Sequence, residues 1–66
     1  MSLDRLTPRE KDVLLAVCQG NTDKQAAKVV GLAYYTVKQH MRAAMAKTGI
    51  NSRVALAVAA AKAGWL

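Results

Sequence analysis

"TDKQAAKVVGLAYYTVKQHMR", residues 22–42, decides how the chain folds. Thr22 can cap a helix, and Gln25, three residues on, can close a reciprocal capping box. Asp23 complements the positive end of that helix. Ala26, Ala27, Val29 and Val30 give a short helix with a small-residue face, which needs packing to persist. Gly31 ends it, because glycine takes the left-handed conformation without penalty. The tight turn "VGLA" then leads into a longer helix beginning near Tyr34. A short helix, a glycine turn and a second helix make the pattern of a helix-turn-helix.

In that second helix Val37, Met41, Ala44 and Thr48 recur at i, i+4, i+7 and i+11, so they are expected to face a core. Tyr35, Lys38, Gln39 and Arg42 fall on the opposite side. Ala33 is a poor cap, costing roughly 1 kcal/mol against Ser or Asp. Thr36 and Gln39 offer a competing box that would start the helix two or three residues later. The earlier start is the expectation.

Outward from this pair, "TPRE" announces another helix. Thr7 can cap, Pro8 suits the first helical position, and Glu10 can reach back to the cap amide. Val13, Leu14, Val17 and Cys18 follow as an apolar stripe before Gly20. Beyond the long helix, "GINS" turns the chain, with Asn51 or Ser52 as cap of a last helix that Gly64 ends. No segment alternates apolar and polar residues as a strand would. The expectation is an all-α, four-helix domain, with helices at about 8–19, 23–30, 34–48 and 52–63. Residues 1–6 form a lead-in and residues 7–66 the domain.

Ten Lys and Arg against four Asp and Glu give a net charge of +6, which suits a polyanionic partner. Thirteen alanines and no Phe favour helices whose axes approach closely. The lone Cys18 excludes an internal disulfide and fits a reducing cytoplasm. With one Cys and one His, no zinc cluster is expected. No nucleophile and base pair up, so neither catalysis nor a cofactor is expected. No apolar run is long enough to span a membrane and no signal peptide is evident. The expected setting is the cytoplasm, at the nucleoid.

The long helix carries side-chain types suited to reading base edges. Lys38, Gln39 and Arg42 are adjacent, and Arg and Lys pair with guanine edges, Gln with adenine. Tyr34, Tyr35 and Thr36 place hydroxyls at the helix start, where phosphates are commonly met. Arg5, Arg9, Lys11, Lys24 and Lys28 are further candidates for phosphate. The last helix is apolar nearly all round. Leu56, Ala59, Ala60 and Ala63 can face the core, which leaves Val54, Val58 and Ala61 as a surplus face suited to dimerisation. Trp65 is expected against the domain or a second subunit. Glu10 and Arg53 could pair across the first and last helices.

The whole pattern resembles the LuxR/GerE-type DNA-binding domain of bacterial transcription regulators. "LTPRE" with Val13, Leu14 and Gly20, "TVK" with His40, and Lys47, Ile50 and Arg53 carry the likeness, which runs over residues 6 to 64. It implies four helices, with the second and third as the DNA-binding pair and the fourth as a homodimer contact. By position it implies base reading by Lys38, Gln39 and Arg42, and phosphate or sugar contacts by Thr22, Tyr35, Thr36 and Lys47. It implies a structural role for His40. Double-stranded DNA is the expected partner, and RNA polymerase a second one to consider.

The chain departs from the family at Ala33, where Ser is usual, and at Asp23, where Asn is usual. An acid at residue 23 repels phosphate unless Lys24 offsets it. Ala43, Ala44 and Thr48 remove apolar volume from the third helix's anchoring. Two other readings fit part of the pattern. One is a LuxR-like interaction module that heterodimerises with a larger regulator. The other is a sigma region 4-like domain that binds a promoter element as a monomer.

Overall fold

The computed structural model describes residues 3–65. A 3-10 turn at Leu3–Arg5 precedes four helices: α1 (Pro8–Cys18), α2 (Asp23–Val30), α3 (Tyr34–Thr48) and α4 (Arg53–Lys62). No strand occurs among the described residues. The helix positions follow the local punctuation closely. Thr7 with Glu10 and Thr22 with Gln25 both form complete capping boxes. Ser52, rather than Asn51, caps α4 by accepting from the Ala55 amide.

α3 starts at Tyr34, the earlier of its two expected starts, although Ala33 supplies no side-chain cap. The turn before it explains how. Gly31 sits at φ 71°, and the Leu32 amide reaches back five residues to the Ala27 carbonyl at 3.0 Å. This Schellman arrangement ends α2 and aims the chain into α3. Gly64 does the same for α4, with φ 81° and the Trp65 amide 2.9 Å from the Ala60 carbonyl.

α1 lies at the centre and packs against α2, α3 and α4. Val13, Leu14, Val37 and Leu56 are fully buried and join all but α2, which adds Ala26 and Ala27. The expected α3 set of Val37, Met41, Ala44 and Thr48 is buried throughout. Thr48 does more than lose volume. Its hydroxyl donates to the Ala44 carbonyl at 2.8 Å and accepts from the Ile50 amide at 3.2 Å, so the buried polar group is satisfied.

Two core expectations need correction. Val29 is 64% exposed, because an eight-residue helix turns only one narrow stripe inward and Ala26 and Ala27 fill it. Ala63 lies past the end of α4 and is exposed. Leu3 and Leu6 also pack against the core, and the 3-10 turn touches α3.

Candidate nucleic-acid interface

α3 presents its outer face to solvent along its whole length. Tyr34, Tyr35, Gln39 and Arg42 are exposed, while Thr36 and Lys38 are half-buried. The Lys38 ammonium lies 5.4 Å from the Tyr34 ring centroid, a cation–π contact that holds the lysine along the first turns. Thr22 and Lys24, at the start of α2, are exposed beside this face. Thr22 also spends its hydroxyl on the Gln25 amide, at 3.2 Å.

None of the chain's acids lies on α3. Asp4, Glu10, Asp12 and Asp23 are the whole set, so residues 24–66 contain no acid and seven Lys or Arg. The first 23 residues hold the other three basic residues and all four acids, a net charge of −1 against +7 for the remainder. This segregation is legible in the sequence and strengthens the case for α3 beyond the total charge.

Three expectations about individual charges are revised by the packing. Glu10 does not meet Arg53. It lies 2.6 Å from Lys47, which reaches it from the last turn of α3. The same carboxylate oxygen accepts the Thr7 amide at 2.9 Å, so one atom closes the α1 capping box and ties α1 to α3. Burial works to raise the Glu10 pKa. The Lys47 hydrogen bond, the Thr7 contacts and the Lys47 charge outweigh it and hold the carboxyl below its ordinary value. The ammonium of Lys47 is thereby paired within the domain while its side chain stays part-exposed, at the opposite end of α3 from Tyr34.

Arg53 instead meets Asp23. Its Nη2 donates to Oδ2 at 2.8 Å, and its Nη1 stands 2.6 Å from Oδ1 as an ion pair without good hydrogen-bond geometry. The Arg53 hydrogen bond holds the Asp23 carboxyl below its usual range against the effect of burial, and the charges of Arg53 and Lys38 add to it. The partner that offsets Asp23 is thus Arg53, from the start of α4, and not Lys24. Sequence reasoning missed this pair because nothing local links two residues 30 positions apart.

Other expected cations are also engaged. Arg9 donates to the Val30 carbonyl at 3.1 Å, and Lys11 lies 4.4 Å over the Trp65 ring. Trp65 is half-buried against its own core. The apolar face of α4 is open: Val54 is 74% and Val58 48% exposed, with Ala61 exposed beside them. Burial pushes the Cys18 thiol up, away from the reactive thiolate. Among the described residues no cluster of His, Cys, Asp or Glu could hold a metal ion, and no helix is long and apolar enough to cross a membrane.

The family model described as "Bacterial regulatory proteins, luxR family" (GerE) matches residues 4–60. The chain belongs to this family. It is a DNA-binding domain of the transcription-regulator class. The chain is 43% identical over 53 residues to the nitrate/nitrite response regulator protein NarP of Escherichia coli K12, covering 80% of the chain and 25% of NarP. It is 39% identical over 62 residues to the HTH-type transcriptional activator RamA of Corynebacterium glutamicum, covering 94% and 22%. Against the nitrate/nitrite response regulator protein NarL of E. coli K12 it is 38% identical over 56 residues, covering 85% and 26%. The chain therefore spans about a quarter of the length of these relatives. No solved structure matches it.

Proposed function

We infer that this chain reads a specific double-stranded DNA sequence, with α3 in the major groove, as the output module of a bacterial transcription regulator. The observation that carries the reading is the outer face of α3. Gln39 and Arg42 stand exposed beside Lys38 on a helix without a single acid, on the second member of a helix-turn-helix. Residues 7–66 act as one DNA-binding domain at the nucleoid.

Arg42 and Lys38 pair with guanine O6 and N7, and Gln39 with adenine N6 and N7. Thr22 and Lys24 at the start of α2, with Tyr34, Tyr35 and Thr36 at the start of α3, meet the flanking phosphates, which fixes the helix in register. Lys47, part-exposed beside Glu10, completes this set from the far end of α3. Affinity comes largely from charge neutralisation, so it falls steeply with salt.

A second copy joins through Val54, Val58 and Ala61, which form an exposed apolar face of α4. Two recognition helices then address half-sites about one DNA turn apart, roughly 34 Å. Contact with RNA polymerase would follow from a bound dimer, on surfaces outside α3.

Selection from a randomised duplex pool at about 0.15 M salt tests the reading, because nonspecific affinity is already weakened there. A motif with two-fold symmetry is expected. A nonpalindromic motif bound by a monomer would favour the sigma-like alternative. No motif, together with a 1:1 complex with a larger regulator, would favour the interaction module. Arg42→Ala should relax preference at one position of each half-site, and an unchanged motif would remove Arg42 from the base-reading set.

A further inference from the structure

Two helix starts meet through an ion pair. Asp23 is the first residue of α2, Arg53 the first of α4, and Tyr34 the first of α3. Asp23 and Arg53 touch directly, and the Lys38 ammonium lies over the Tyr34 ring. Within the pair, exposure is unequal. The Asp23 side chain is 13% exposed and that of Arg53 45%, so the guanidinium covers the acid and is itself the surface that solvent meets.

A guanidinium carries five N–H donors in a fixed plane, and a carboxylate can occupy one edge of it with two parallel contacts. Asp23 takes at most two of the five donors. The rest remain available to a second acceptor, next to the α2 start and the α3 face. An exposed ion pair of this kind contributes only about 0–1 kcal/mol to stability. Fold stability alone is a weak reason for placing it there.

We propose that Arg53 binds a DNA backbone phosphate, and that Asp23 is the positioning residue that orients the guanidinium for it. The proposal rests on α3 lying in the major groove. It extends the DNA interface onto the first turn of α4, the helix whose next residue, Val54, begins the exposed apolar face. It also reverses the sign of Asp23: an acid that by itself repels phosphate becomes the reason a cation is aimed at one.

Fluorescence anisotropy of the whole chain on a labelled random-sequence duplex, across a salt series, tests this. Asp23→Asn combined with Arg53→Gln removes one acid and one base, so the net charge stays at +6. If Arg53 holds a phosphate, the double variant binds about tenfold more weakly. The slope of log K against log salt becomes shallower by about 0.9, and the selected motif does not change. Native affinity and slope in the double variant overturn the proposal, since the pair would then merely cancel itself.

Asp23→Ala alone adds positive charge yet should weaken binding by freeing the guanidinium, and tighter binding would overturn the role of Asp23. Circular dichroism checks that each variant is folded. Arg53→Lys retains the charge without the planar fork, so its slope should persist while its affinity drops; native affinity there would overturn the need for a fork. A native chain with no salt-dependent binding would remove the groove reading and this one together. Native binding with unchanged variants removes this one only.

Discussion

Two ion pairs of similar length perform different work in this domain. Glu10–Lys47 and Asp23–Arg53 both close at 2.6 Å between residues far apart in sequence. Glu10 is buried and shares one oxygen between an ammonium and a cap amide, so its pair joins α1 to the end of α3 from within. Asp23 is covered by a cation that remains half in solvent. The first pair keeps its strength through exclusion of water, and the second is screened by salt. The contrast shows that contact distance says little about role, whereas exposure of the outer partner says much.

The largest expected effect comes from breaking the inner pair. Lys47→Ala leaves Glu10 buried with only the Thr7 contacts, and should destabilise by about 3 kcal/mol, near the lower limit for a buried pair because Lys47 is itself part-exposed. Thermal melts followed by circular dichroism measure it. The pH dependence fixes the cause. Glu10 has a folded pKa below its unfolded value, so its contribution is present above the unfolded pKa and is lost as pH falls through the folded one. The gap between the native chain and Lys47→Ala should therefore narrow in acid, and a gap independent of pH would show that lost packing, not lost charge, is responsible.

Glu10→Gln retains a side chain able to close the capping box and removes only the charge. It should cost less than Lys47→Ala, about 1.5 kcal/mol, because Lys47 can swing into water. A cost equal to that of Lys47→Ala would contradict the asymmetry between a buried acid and a half-buried base. Next in size, and opposite in sign, is Ala33→Ser. Residue 33 already has cap geometry, φ −69° and ψ 149°, but no group to accept a hydrogen bond. The substitution should stabilise by about 1 kcal/mol, seen as a Tm rise of roughly 4–8 °C for a domain of this size. No rise would mean that the turn at Gly31, not the missing cap, governs where α3 starts.

The smallest effect is expected at the outer pair. Arg53→Gln should change stability by about 0.5 kcal/mol, with the difference shrinking in high salt, as chemical denaturation with urea at two salt levels would show. A loss comparable to that of Lys47→Ala would make the two pairs alike and undo the comparison.

Much of the fold was legible because its signals are local. Thr7 with Glu10, Thr22 with Gln25, and the glycines at 20, 31 and 64 act within a few residues of themselves, and the helices start and stop where those residues require. The spacing of Val37, Met41, Ala44 and Thr48 likewise needs only the helical period. The ionic partners were not legible. Glu10 could have met Arg53 as readily as Lys47 until packing fixed which helix ends approach. Leu3 and Leu6 looked like lead-in because a three-residue turn has no period to reveal a buried side. The surface of the candidate site was visible as side-chain type, but the diversion of Lys47, Arg9 and Lys11 to internal contacts was not.

Trp65 is the chain's only tryptophan, and it is held by the Gly64 turn against the core with Lys11 over its ring. Indole emission is therefore a native optical gauge of whether the end of α4 is seated on α1. It needs no attached dye. A shift in its colour on raising the protein concentration would report a disturbance of α4 by self-association. A shift on adding duplex alone would report strain passed from α3 through the core.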